Sequence, residues 1–357
     1  MSSSIFIKHY KIPLLLVFLS VLMYGCFAYD LVRTDYVKLI ALYTGLFILF
    51  YNLVSLLKNH ITFLTWLAFG FRAIFILAIP NLSQDFYRFI WDGRLILQGI
   101  NPYLFTVESF INNGEFPVAQ AQVLYEGMGA LNAGHYSNYP PVNQFCFVLA
   151  NLFSGQTILG AVMGLRLLII AADFGTFFFG KKLLEKLNIP TYNIFWYILN
   201  PFIIIELTGN LHFEGVMIFF LIWGLYLLFT GKWYWAAIIL ALSVSVKLIP
   251  LLFLPLFFQW FMKQNNALNH TLLSSKKGLT ASRVFPRKRL LKLLGFYTII
   301  GVSTILLFIP FYTSEFINNY SRTVALWFQN FEFNASIYYL APVSYTHLTL
   351  PTTCRVC

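Results

Sequence analysis

Charge is what this sequence has least of. Asp, Glu, Lys and Arg make up 10% of 357 residues and hydrophobic residues 59%, where soluble domains hold about a quarter charged residues. A soluble globular enzyme is excluded, because too few side chains remain to face water. Acids are the scarcer sign, 13 against 24 Lys and Arg, which leaves a net charge of +11. In a soluble chain that surplus would suggest nucleic acid; here the bases gather between apolar runs, so membrane lipid is the partner and nucleic acid is not. Cysteine is sparse: Cys26 and Cys146 lie in apolar stretches, and Cys354 and Cys357 form a lone C-x-x-C at the C-terminus. Neither a disulfide framework nor a zinc site follows. No internal repeat, Walker A loop or dinucleotide glycine pattern is present.

What remains is apolar sequence, and it predicts an all-α, polytopic transmembrane helix bundle. A span needs about 20 apolar residues. Runs near 12–29, 37–57 and 61–80 precede the first long polar segment; runs near 141–154, 158–180, 191–208, 213–230, 233–260 and 291–312 follow it. That is about nine spans, in a range of 8 to 10. The first run follows Lys8 and Lys11 without an A-x-A cleavage site, so it reads as a span and not a removed signal peptide.

Eight bases, Lys263, Lys276, Lys277, Arg283, Arg287, Lys288, Arg289 and Lys292, crowd a loop near 261–290. The positive-inside rule puts this loop in the cytoplasm. Segment 81–140 holds five acids, Asp85, Asp92, Glu108, Glu115 and Glu126, and only Arg88 and Arg94 as bases, so it belongs outside. Lys181, Lys182 and Lys186 run against the count. Either the rule is locally broken or the short run 141–154 dips in without crossing. Gly160-x-x-x-Gly164 is a weak helix-packing signal. Residues 1–341 form one transmembrane domain on this reading, with 313–341 starting a second external loop. From about Val343 the apolar character is lost, and 342–357 resembles translated sequencing-adapter read-through; further spans after Ala341 are therefore expected to be missing.

The stretch Ser83 to Tyr103 carries the chemistry. On a helix Asp85, Arg88 and Asp92 follow at i, i+3 and i+7, with Phe86, Ile90, Gly93 and Leu97 opposite. Ser83 can cap its start and Gly99 with Pro102 its end, which suits a helix lying on the bilayer surface. Asp85 could equally serve only the helix dipole of a first turn.

Ionised groups inside a span cost roughly 2.5–3.5 kcal/mol, so each needs a reason. Interhelical ion pairing accounts for Arg72, Arg166 and Asp173. Lys247 precedes Pro250, and a cation at a broken helix reads as an anion site or as a snorkelling lysine. Asn200-Pro201 to Glu214, with Glu206, Asn210, His212 and Glu214, is too polar for a lipid-facing turn; His212 and Glu214 at i, i+2 are unconvincing metal ligands. Tyr139-Pro140-Pro141 with Asn143 and Gln144 marks the return into the membrane.

Taken in order, these segments resemble the GT-C type of polytopic membrane glycosyltransferase, in particular the bacterial mannosyltransferase-like branch that uses polyprenyl-phosphate sugars. The resemblance covers residues 60–341. It is carried by Asp85-Phe-Tyr-Arg-Phe-Ile-Trp-Asp92-Gly-Arg with Gly99-Ile-Asn-Pro-Tyr103, Tyr139-Pro-Pro-Val-Asn-Gln144, Asn200-Pro with Glu206, Gly209-Asn210 and His212, and Lys247 with Pro250. It implies a base just after a span in the first external loop, which falls on Asp85. Position 83 is Ser, so the D-x-D pair of some relatives is missing, and a divalent cation, magnesium or manganese, stays an open requirement; no metal ligand is assigned.

The resemblance implies an inverting transfer of a sugar, mannose in this branch, from a polyprenyl-phosphate donor to a hydroxyl of a lipid, glycan or protein acceptor. It would occur on the external face of the bacterial cytoplasmic membrane. Asp85 would take the hydroxyl proton. Arg88, Lys247, Arg322 and His212 would hold the donor phosphate. Asp92, Trp91, Tyr103, Tyr139, Gln144, Glu206 and Asn210 would bind or orient sugar and acceptor. A transporter or flippase of lipid-linked saccharides is the rival; it calls for paired repeats with matching breaks, which the sequence lacks, and has no need of a sixty-residue polar loop.

Overall fold

A computed structural model describes residues 3–263 and 287–329. Among these the chain is helical and contains no strand, an all-α membrane bundle. The middle of the 261–290 basic loop and the 342–357 tail lie outside the described residues.

Helices α1 (Ser3–Tyr29), α2 (Tyr36–Leu57) and α3 (Ile61–Ala73) pack on one core that includes Phe27, Leu46, Leu53, Val54, Leu64, Ala68 and Phe71. Asp35 caps α2 by accepting from the Lys38 N–H at 3.1 Å. The polar segment is not a bare loop. It folds into α4 (Asp85–Leu97), α5 (Val107–Asn112) and α6 (Ala121–Ala133), which join α7 (Pro141–Leu152) and α8 (Ile158–Lys186) around a second core that includes Phe89, Trp91, Leu124, Met128, Phe147 and Leu165.

Beyond α8, Pro190 and Asn200-Pro201 break the run 191–208 into a short 3₁₀ turn, α9 (Phe195–Ile198), α10 (Pro201–Ile203) and a π turn at Ile204–Gly209. The direction then changes by 114° into α11 (Glu214–Phe229). Helix α12 (Trp233–Val244), a 3₁₀ turn at Ile249–Phe253, α13 (Leu254–Lys263), α14 (Arg287–Phe308) and α15 (Ser314–Gln329) complete the described chain.

Two expected spans are corrected. Run 141–154 is the 12-residue α7, about 18 Å long at 1.5 Å per residue and too short to cross about 30 Å of hydrocarbon. Run 233–260 is not one crossing. Lys247 sits at a break, with Ser245 and Val246 carbonyls accepting from Val142 N and Asn143 Nδ2 on one side. Downstream, Leu254 and Met262 carbonyls accept from Tyr297 and Arg289 of α14. By length and composition four described helices can cross, or five with the bent pair; the count of nine is not established.

The ion-pair expectation is half right. Arg72 of α3 meets Asp173 of α8 at 2.7 Å, both buried. Arg166 pairs with no acid: it donates to the Thr208, Gly209 and Ile76 carbonyls at 2.8, 3.1 and 3.0 Å. A cation at the open carbonyl end of a helical turn is favourable on dipole grounds, and here it fastens the π turn to α8.

Small residues set the closest approaches. A Cβ on Gly164 would come within 2.8 Å of the Ala150 carbonyl, so this part of the G-x-x-x-G pair does pack α8 on α7. On α4, a Cβ at Gly93 would lie 2.5 Å from the Phe147 carbonyl and 2.6 Å from Asn151 Nδ2. Backbone cannot yield as a flexible side chain can. Gly93→Ala is therefore expected to cost about 1–3 kcal/mol, seen as a lower midpoint of thermal unfolding in detergent; an unchanged midpoint would refute so tight a crossing.

Candidate functional site

The site is built where α4 begins. Gln84 is the N-cap residue of α4 and makes no side-chain cap, so the expected Ser83 cap is reduced to its hydroxyl accepting from Asp85 N at 3.3 Å. The far end forms as expected. Gly99 has φ +77°, and the Gly99 and Ile100 amides return to the Ile96 and Leu95 carbonyls at 2.8 and 3.1 Å, the Schellman arrangement.

The surface-lying helix with an open ionic face is corrected. Phe86 and every residue from Arg88 to Leu95 are buried. Arg88 Nε donates to Asp92 Oδ1 at 2.7 Å, and Arg88 Nη1 donates to the Asn132 and His135 carbonyls, both at 2.9 Å. The other Asp92 oxygen accepts from Ser137 Oγ at 2.5 Å and Gln144 Nε2 at 3.0 Å. Arg88, Asp92, Ser137 and Gln144 thus form a buried polar knot that fixes segment 132–137 to α4, with Arg88 Nη2 and Gln144 Oε1 left without a hydrogen-bond partner among the described residues.

Trp91 and Tyr103 are buried in the same way. Trp91 is buried beside Phe110. Tyr103 is fully buried among Phe311, Phe316 and Tyr320, and its hydroxyl donates to the Tyr139 carbonyl at 2.5 Å. Rings with no open face cannot stack on a sugar. Arg322 is exposed on α15.

Asp85 is different, because it is only partly buried and stays outside the knot. Its Oδ1 accepts from Asn132 Nδ2 at 3.4 Å. Burial pushes its pKa up, the nearby His212, Lys247 and Arg33 charges pull it back, and Glu214 adds to the rise. Those four groups lie near Asp85 and, with side-chain exposures of 32% for His212, 47% for Lys247 and 34% for Glu214, border a solvent-facing opening beside it, though they come from the α1–α2 loop, the break before α11 and the break after α12. Tyr139 belongs here too: burial raises its hydroxyl pKa first, and the Asp85 charge raises it further.

Two of the three basic groups near Asp85, Lys247 and His212, are met by a carboxylate. Lys247 Nζ makes a close ion pair with Glu214 Oε1. His212 Nδ1 lies 3.4 Å from Glu206 Oε2. Glu206 also accepts from Tyr43 of α2 at 2.9 Å and from Asn210 at 3.1 Å. The pairing of Lys247 answers the snorkelling alternative, since its ammonium turns to a partner at the protein's own break. Arg33, Asn132, Ser137 and Tyr43 were not singled out from sequence, and Glu214 was noted only as a polar residue of its turn; Arg33 had a signal, being a base in the loop that the topology puts on the same face as 81–140.

Among the described residues no three His, Cys, Asp or Glu side chains gather as metal ligands. The carboxylates at the opening have amide, phenol and cation partners instead, so this donor set does not fit a divalent ion, and no step is derived through one.

A family model described as alpha-(1->6)-mannopyranosyltransferase, N-terminal domain, matches residues 20–263. That range holds the whole opening and leaves out Arg322. Alpha-(1->6)-mannopyranosyltransferase A of Mycobacterium tuberculosis is 23% identical over 228 residues, covering 64% of this chain and 41% of the relative. The chain thus matches about two fifths of that relative's length. No solved structure matches.

Proposed function

The chain belongs to the alpha-(1->6)-mannopyranosyltransferase family, and from that premise we propose an inverting glycosyltransferase that moves mannose from a polyprenyl-phosphate donor to a hydroxyl acceptor. The acceptor is a lipid, glycan or protein at the outer face of the cytoplasmic membrane. The observation that carries this reading is the Asp85 carboxylate, partly buried and held by Asn132, at an opening shared with His212, Lys247 and Arg33.

In the proposed step Asp85 accepts the acceptor's hydroxyl proton as that oxygen bonds to the anomeric carbon. The bond from this carbon to the phosphate oxygen breaks on the opposite face, and its electron pair leaves with polyprenyl phosphate. His212, Lys247 and Arg33 stabilise the departing charge. For Lys247 this requires an exchange of Glu214 for phosphate. Arg88, locked in its knot, is dropped from the phosphate set and takes a positioning role instead.

Topology supports the outer face. With α7 not crossing, α8 leads inward and Lys181, Lys182 and Lys186 become cytoplasmic, which removes the conflict with the positive-inside rule.

The test is a membrane assay with labelled polyprenyl-phosphate mannose beside labelled nucleotide mannose. Transfer from the lipid donor alone, with inversion at the anomeric carbon, is expected; movement of intact donor across liposomes without transfer would favour the transporter. The rate should also carry an acidic limb. A base must be ionised to act, and burial has raised this one, so turnover is expected to fall on acidification at a pH above the ordinary aspartate value of about 3.9. A flat profile down to that value would remove Asp85 as the base.

A further inference from the structure

The turn between Glu206 and Glu214 has more structure than its length requires. It opens with a π turn, Ile204–Gly209, a form concentrated at functional sites. It then places Leu211, a buried non-glycine residue, at φ +62°. Backbone in that region is costly for a branched apolar side chain and persists only when its surroundings impose it. Here the surroundings are the Arg166 guanidinium on the Thr208 and Gly209 carbonyls and the Asn210 amide on the Ile205 carbonyl at 2.8 Å. The outcome is that His212 comes back over Glu206, six residues earlier, with Nδ1 toward the carboxylate.

Glu206 is itself held from two sides. Tyr43 reaches it from α2, 163 residues away in sequence, and Asn210 reaches it from the same turn. A sugar-binding carboxylate would keep oxygens open for hydroxyls, whereas here Tyr43 takes one oxygen and Asn210 and His212 the other. The imidazole turns Nδ1 toward this carboxylate at 3.4 Å. A carboxylate beside one ring nitrogen orients the ring and directs the other nitrogen elsewhere.

We propose that Glu206 is a positioning residue for His212, fixing the ring so that Nε2–H points into the Asp85 opening and donates to the departing phosphate oxygen. The proposal rests on the mannosyl-transfer reading above and assigns Glu206 to the histidine, not to the sugar. No proton is consumed by it: Asp85 takes the acceptor proton, and the ring N–H donates a hydrogen bond that strengthens as charge develops on the phosphate. Because that bond belongs to the transition state, loss of the positioning carboxylate should lower kcat and kcat/KM together and leave the donor KM nearly unchanged.

The experiment uses the full chain in nanodiscs with labelled polyprenyl-phosphate mannose. Glu206→Gln is expected to reduce kcat about 10- to 100-fold. His212→Gly should lose more and recover part of its rate when free imidazole is added, and adding Glu206→Gln to His212→Gly should change little further. A purely structural Glu206 would instead lower both backgrounds by the same factor. Independently of turnover, ¹⁵N-histidine spectra are read, with the His212 resonance among the six histidines assigned by its loss in His212→Gln. A shifted Nδ1 signal in Glu206→Gln supports the pairing, and an unchanged one overturns it. A wild type that transfers mannose while Glu206→Gln keeps full kcat overturns the role alone. A wild type that transfers nothing overturns the reaction and, with it, the role.

Discussion

Asp85→Asn is expected to lower mannose turnover about 100- to 10,000-fold, the usual contribution of a positioned base, while leaving the protein folded. Asparagine keeps the shape and can still bond Asn132, so geometry at the start of α4 should survive. Stability provides the check that loss of activity is chemical. The folded-state pKa of Asp85 lies above its unfolded value because burial dominates. Its ionised form is therefore unfavourable in the fold at pH values above that raised pKa, and the penalty disappears only below the unfolded value. At neutral pH the amide removes that penalty. The thermal midpoint of Asp85→Asn should equal or exceed that of the wild type, even as kcat collapses; wild-type turnover in the variant would end the proposed mechanism.

Breaking the Arg88–Asp92 pair should produce the opposite pattern. Both side chains are buried, at 2% and 0% exposure, and each depends on the other for charge balance. Arg88→Met leaves Asp92 with only Ser137 and Gln144 as donors, while the Asn132 and His135 carbonyls lose theirs. Truncating one member of a buried pair costs about 3–5 kcal/mol, and replacing both by apolar residues of similar volume restores much of it. Arg88→Met is thus expected to lower the midpoint of unfolding strongly, and Arg88→Met/Asp92→Leu to regain most of the loss, a coupling that a double-mutant cycle measures. If Arg88 bound the donor phosphate, its variant would stay stable and show a raised donor KM. That result would restore the role the sequence suggested for it.

These two variants show where sequence reasoning reached its limit. Asp85, Arg88 and Asp92 share a helix and a spacing, and spacing alone could not separate them. Asp85 is at the first turn, facing an opening, and Asp92 is two turns deeper, under α6 and α7. Helical periodicity says which residues share a face; it does not say whether that face meets water or another helix. The aromatics Trp91 and Tyr103 misled for the same reason, since a ring suited to stacking on sugar is equally suited to a core. The role of Glu214 was missed because its partner Lys247 is 33 residues further along the chain, and an ion pair at that separation has no local signature.

The amino-acid sequence by itself determined the solvent and the class. With so few charges and so many apolar runs, only a helical membrane bundle satisfies its backbone. The ordered polar segments were enough to point to the family. Tertiary structure decided which polar residues are available. Burial of α4 enclosed the Arg88–Asp92 pair, α7 proved short and the run 233–260 broken at Lys247, and three separate breaks brought charged groups near one carboxylate. The physical reason is that local patterns are set by hydrogen bonding and hydrophobicity along the chain. The accessibility and charge environment of a side chain are set instead by neighbours that only folding brings near.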